Sequence, residues 1–184
     1  MSLQEIKENC LSCKACPLGG RGVVFSNMNE QASIMVIGQS PGKDEVREGE
    51  PFVGVSGKNF DEAIKEHVGL NRSFFYFSNV IRCLVPEKYL LTEQNFSACR
   101  VHLDREIKEV NPVLIVTLGS SAFESLTGMH GLMKHHGKFI ISSRYMIPVL
   151  PLLHPSPLVM NNVETRDLFI KDLKKIREFI SQNG

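Results

Sequence analysis

The sequence predicts an α/β fold of three layers, with helices on both faces of a central, mostly parallel four-stranded sheet. Two observations predict it. Four continuous apolar runs recur, at 32–38, 74–81, 113–118 and 146–153, and such runs mark strands covered on both faces. Helical periodicity fills the intervals at 57–68, 93–110 and 120–127 and returns at 164–181, as parallel strands joined by crossovers require.

Each element has its own signals. Thr92 precedes "EQNFSACRVHLDREI" and suits an N-cap. Pro112 restricts that helix from continuing beyond its end. The last helix, "RDLFIKDLKKIREF", carries Leu168, Leu173, Ile176 and Phe179 among mixed charges, the pattern of an amphipathic surface helix.

Composition sets bounds. The 184 residues suit one domain over 1–184, with 42% apolar and 22% charged residues and a net charge of +1. No apolar run approaches the ~20 residues of a membrane span. "MSLQEIKENC" lacks the basic start and apolar stretch of a secretory signal, so a cytosolic, reducing compartment is expected. Near-zero net charge means that any phosphate-binding face must come from local clustering and backbone amides.

In such sheets ligands bind outside the carboxyl ends of the strands. "GQSPG", "SNVIRC", "LGSSA" and "LLHPSPL" all fall there, so four loops converge on one rim. The Gly-Pro-Gly turn at 38–42 is neither a phosphate-cradling GKS/T loop nor a dinucleotide fingerprint. It exposes backbone N–H groups and admits close approach of a ligand. Phe52, between two glycine turns, reads equally as a core residue or as a stacking platform for a planar ring. Asn79 ends an apolar strand. It either ties two loops together or reads a pyrimidine edge, since an amide carries donor and acceptor side by side. His154 leaves a buried strand into a proline-clamped turn, which favours an immobilised hydrogen-bond donor. His130, His135 and His136 share a Gly- and Lys-containing segment that reads as an exposed loop without metal-site spacing.

Cys10, Cys13 and Cys16 form C-x2-C-x2-C, and Cys83 and Cys99 stand apart. Disulfides are not expected in a reducing compartment. Four thiolates would suit a structural zinc or a [4Fe–4S] cluster, and one close pair with two single ligands favours iron–sulfur. One cysteine is surplus, with Cys10 and Cys16 competing for that place.

Taken together, "CKACPL", "GQSPGKDEVREGEPFVGVSG", "SNVIRC", "LGSSAFESLTG" and the His154-Pro loop resemble the uracil-DNA glycosylase superfamily, most closely its iron–sulfur family 4. The resemblance implies a repair enzyme that flips uracil from single- or double-stranded DNA, hydrolyses its glycosidic bond and works as a monomer. It implies that Cys13, Cys16, Cys83 and Cys99 ligate a structural [4Fe–4S] cluster, with zinc the weaker alternative and Cys10 the extra thiol. Gly38, Gln39, Phe52, Asn79 and His154 would form the uracil pocket. His154, Gln39 and Ser40 would hold the catalytic positions. Gly57, Ser120, Ser121, Ser156 and Pro157 would contact DNA, and Leu158, in a family-1-like "HPSPL", would be the wedge.

The turn departs from both families. Ser40 stands where family 1 has Asp, Gln39 where family 4 has Glu, and Val46 where family 4 has a later Asp. Asp44 and Glu45 are the nearest carboxylates in sequence. The expectation is therefore a glycosylase, weakened at its water-activating position and reliant on leaving-group stabilisation. The alternatives are a uracil- or DNA-binding module without turnover and a redox protein built on the cluster.

Overall fold

The computed structural model describes residues 1–183. Four parallel strands, β1 (Ile34–Gly38), β2 (Phe75–Asn79), β3 (Leu114–Leu118) and β5 (Pro148–Leu152), are joined by an antiparallel edge strand, β4 (Ile140–Ile141), in the order β2-β1-β3-β5-β4. The four expected strands are present, each trimmed at its ends. The fifth escapes the sequence because two residues carry no period. Strands β1, β2 and β3 are buried at every position, as runs covered on both faces should be.

Helices cover both faces: α1 (Leu3–Leu11), α2 (Lys43–Glu48), α3 (Val55–Val68), α4 (Glu93–Val110), α5 (Ser120–Thr127), α6 (Leu132–His135), α7 (Pro157–Met160), α8 (Val163–Leu173) and α9 (Lys175–Asn183). Two apolar clusters result. One packs Phe60, Phe75, Phe77 and Phe123 with Phe169 and Leu173. The other packs Met35, Tyr76 and Ile115 with Ile6, Leu103 and Ile107.

Helix α4 has the expected limits. Thr92 is its N-cap, although the capping acceptor is Asn95 Oδ1, which takes the Thr92 N–H at 2.8 Å. Asn111 closes the helix in the left-handed conformation before Pro112. The continuous C-terminal helix expected over 164–181 is instead α8 and α9, parted at Lys174. At the join, Asp172 meets His136 Nδ1 at 2.5 Å and the Lys175 ammonium donates to the Gly137 carbonyl. His136 and Gly137 thereby anchor the C-terminal helices. His135 stacks near Phe123 with ring centroids 5.5 Å apart, and only His130 stands largely exposed. The three histidines therefore do not form the exposed loop that was expected.

Between the sheet and α4 lies a buried ionic network. The Arg82 guanidinium, 1% exposed, donates to Glu106 and to Ser78 Oγ. Tyr76 O–H (2.8 Å) and Ser78 O–H (3.0 Å) also donate to the Glu106 carboxylate. Removing one partner strands the other charge in the interior, which costs about 3–5 kcal/mol. Glu106→Ala should therefore lower unfolding free energy by about that much in urea titration; a loss under about 1 kcal/mol would contradict the pairing.

Candidate active site

At the carboxyl end of the sheet the loops enclose a cleft of about 760 Å³. It brings together Gln39, Ser40, Phe52, Gly57, Asn79, Ser120, Ser121 and His154 on one surface. Gly38 lies against two of these residues. A Cβ on Gly38 would lie 2.6 Å from Phe52 Cζ and 2.8 Å from Asn79 Oδ1, so ring and amide both rest against bare backbone. Gly38 and Asn79 are register partners, and the pairing runs on through Val80 N–H to the Gly38 carbonyl and Ile81 N–H to the Gln39 carbonyl.

Phe52 is held in the left-handed region at φ 56, where a bulky residue is strained. Arg72 supplies the restraint: its guanidinium donates to the Phe52 carbonyl at 3.0 Å and to the Pro51 carbonyl, and it meets Asp61 at 3.3 Å. The same cation lies 4.2 Å from the centroid of Phe77, which packs 5.5 Å from the Phe52 ring. Helix α3 closes against this turn. A Cβ on Gly57 would overlap the Phe52 carbonyl, so Gly57 is required by packing. Phe52 is thus a core residue that also borders the cleft.

Asn79 is 2% exposed, and among the described residues its side-chain amide makes no hydrogen bond. Donor and acceptor are thereby left for a ligand. His154 approaches Gly119, where a Cβ would lie 3.3 Å from the His154 Cβ and the φ of 88 would strain any side chain. Asn59 Nδ2 donates to the Pro155 carbonyl at 2.9 Å and ties this loop to α3. Ser156 caps the short α7, and Leu158 projects into solvent, 84% exposed.

The carboxylates are differently placed. Glu45 accepts from Gly42 N–H at 2.9 Å and Gly54 N–H at 2.7 Å, stapling the two glycine turns. Asp44 also borders the cleft and pairs with Arg47 at 2.8 Å. Ser121 O–H donates to Gln39 Oε1 at 2.5 Å, which fixes the glutamine with its NH2 free to face the cleft. Glu45 and Arg72, structural keys to the site, were not legible as such. The glutamate lies at capping-box spacing after Gly42, and the arginine immediately precedes an apolar strand.

Cys10, Cys83 and Cys99 lie in the second apolar cluster, and Cys16 packs against it. Cys83 lies within electrostatic range of Cys13 and Cys16, and Cys99 within range of Cys16 and Cys83. Burial raises both the Cys83 and Cys99 pKa values, while backbone N–H groups of Gly20 and Arg21 on Cys83, and of Arg82 on Cys99, favour the thiolates. Cys10 is deeper, 1% exposed, and burial pushes its thiol up to about 12. Among the described residues no three His, Cys, Asp or Glu side chains close on one point tightly enough for a single ion.

Burial holds the His154 imidazole below the usual 6.5. The cleft therefore presents a neutral ring at pH 7. As pH falls below 6.5, the unfolded chain takes this proton first, so the His154 contribution to stability is lost with acid. In an NMR titration its ring protons should turn below pH 6.5; a midpoint at or above that value would contradict the assignment.

The comparisons agree with the geometry. The family model described as "Uracil DNA glycosylase superfamily" matches residues 25–177. A type-4 uracil-DNA glycosylase of Sulfurisphaera tokodaii is 36% identical over 96% of this chain and 84% of its own. One from Saccharolobus solfataricus is 33% identical over 98% and 87%, and one from Thermotoga maritima 31% over 99% and 96%. With the loops, the cleft and these relatives in agreement, the chain belongs to the uracil-DNA glycosylase superfamily, within its type-4 family.

Proposed function

We propose that this protein releases uracil from DNA by hydrolysing the N-glycosidic bond, leaving an abasic site. The observation that carries the reading is the convergence of Phe52, the unpartnered Asn79 amide and His154 on one cleft. Phe52 offers a ring face to the flipped base. Asn79 presents a donor and an acceptor to its polar edge; uracil N3 carries a proton where cytosine N3 does not, so a fixed amide separates them. Ser120 and Ser121, at the start of α5, with Gly57, Ser156 and Pro157, line the path of the backbone, and Leu158 fills the gap in the stack. All these residues come from one chain, in accord with a single domain acting as a monomer on single- or double-stranded DNA.

In the reaction the oxygen of water bonds to the sugar C1′ as the C1′–N1 bond breaks. The electron pair leaves with uracil, which finally takes up the proton of the water. His154 donates to O2 of the departing base as negative charge develops there. A preorganised donor of this kind contributes about 2.7–4 kcal/mol, or 10²–10³ in rate. The neutral Gln39 amide and Ser40 hydroxyl orient the water rather than deprotonate it, and Glu45 is committed to two backbone N–H groups. The neutral pair at 39 and 40 favours one second reading, a uracil-binding module without turnover.

Cys13, Cys16, Cys83 and Cys99 would hold a [4Fe–4S] cluster, which supplies a structural cross-link between the N-terminal segment and α4. The fit rests on four thiols with backbone donors aimed at two of them.

On a single-uracil oligonucleotide, with alkali revealing abasic sites, His154→Ala should slow release about 10²–10³-fold. Undiminished release would sink the mechanism, and no release by the unaltered protein on any substrate would leave the binding module. Protein purified without oxygen should contain iron and absorb visible light. Cys83→Ser should lose both, and one equivalent of zinc in place of iron would overturn the cluster.

A further inference from the structure

Beside the first cleft lies a second, of about 490 Å³, and the two share Gln39 and Ser121. The Ser121–Gln39 hydrogen bond is the partition between them. The new walls come from the loop before α4, which gives Tyr89, Leu90 and Leu91, and from Phe96 and Arg100 on α4 itself. No residue placed in the reaction above belongs to this loop.

We propose that the second cleft holds the nucleobase adjoining the flipped uracil, on one side of it along the same strand; this rests on the reading of the first cleft. Three features define the occupant. First, the lining is aromatic and aliphatic, and every base offers a π-face to such a surface. Second, the Arg100 cation at the site is already met by one carboxylate, and Glu124 adds another. Arg100 reaches Glu93 at 3.5 Å, and His130 reaches Glu124 at 3.1 Å. Two carboxylates repel a phosphate, whereas an uncharged planar ring meets no such penalty. Third, Arg100 lines the cleft and meets Glu93 only at 3.5 Å, which leaves guanidinium N–H groups for a base-edge oxygen or nitrogen.

Continuity with the first cleft decides the position. A base held across the Gln39 partition is the immediate neighbour of one held against Phe52 and Asn79. Leu90 is 85% exposed, matching Leu158 at 84%. Leu158 belongs to the His154 loop, and Leu90 to the wall of the second cleft. The loop carrying Leu90 is bracketed by Cys83 and Cys99, so a cross-link at these thiols would also set the position of this wall.

The test is a binding cycle on single-stranded oligonucleotides read by fluorescence anisotropy. The probe carries 2′-fluoro-deoxyuridine, whose glycosidic bond resists cleavage. An abasic tetrahydrofuran spacer replaces the 5′ neighbour, the 3′ neighbour or neither. Unaltered protein, Leu90→Ala and Phe96→Leu are compared; Leu90 is exposed, and the leucine at 96 keeps the apolar contact while removing the ring. One spacer should weaken binding by the unaltered protein about tenfold, the range of one stacked base, and the other far less. Each variant should bind the intact strand several-fold more weakly and lose little further with the sensitive spacer. Equal affinity for all three strands, or variant and spacer losses that simply multiply, would overturn the proposal. Uracil release from an ordinary deoxyuridine strand is measured in parallel. Release with no spacer effect condemns the second cleft alone, whereas a spacer effect without release condemns the chemistry assigned to the first.

Discussion

The site depends on a single steric constraint, the bare backbone of Gly38 under Phe52 and Asn79. The strand end must be a glycine because ring and amide both come within van der Waals distance of its Cα. Phe52 can lie there only in a left-handed conformation, which costs on the order of 1–3 kcal/mol for such a residue. Arg72 offsets that strain by holding the carbonyls of Pro51 and Phe52, and it is itself fixed by Asp61 and the face of Phe77. Helix α3 then packs through Gly57 onto the same turn, and Asn59 carries the order across to the His154 loop. The pocket is thus assembled before any ligand arrives, which is what electrostatic preorganisation requires.

The same geometry explains how the site works without an acid in its first turn. Glu45 spends its carboxylate on the N–H groups of Gly42 and Gly54, joining the two glycine turns that carry Gln39 and Phe52. The groups that face the cleft from the turn are neutral, and burial keeps His154 neutral too. Donors fixed in the cleft act where charge develops as the base departs. Catalysis in this account is weighted toward the departing base rather than toward activation of water.

Much of the fold was legible in the sequence because its strands are short, apolar on both faces and separated by clear helical periods. The limits of α4 could be read from Thr92 and Pro112, and the span of α5 from its helical period. The edge strand β4 and the short helices α2, α6 and α7 carried too few residues for a period to show. The rim residues were legible individually, since Asn79 and His154 stand out chemically at strand ends and Phe52 between glycine turns. Their supports were not. Glu45 stood out only as a carboxylate near the turn and Arg72 not at all, because their partners are backbone groups brought near only by the folded turns. The buried Arg82–Glu106 pair was hidden for the same reason, its members lying 24 residues apart in the chain. The second cleft has no motif; it exists only where the loop before α4 meets the start of α5.

The central claim is that His154 stabilises the departing base as an anion. Its most direct measurement compares single-turnover release of uracil and of 5-fluorouracil, whose ring nitrogen is more acidic and which leaves more readily unaided. The unaltered protein should release the two at similar rates, because the donor at His154 carries the charge of the poorer leaving group. His154→Ala should lose far more on uracil than on 5-fluorouracil. Equal losses on both bases would contradict the account and place the role of His154 elsewhere than on the leaving group.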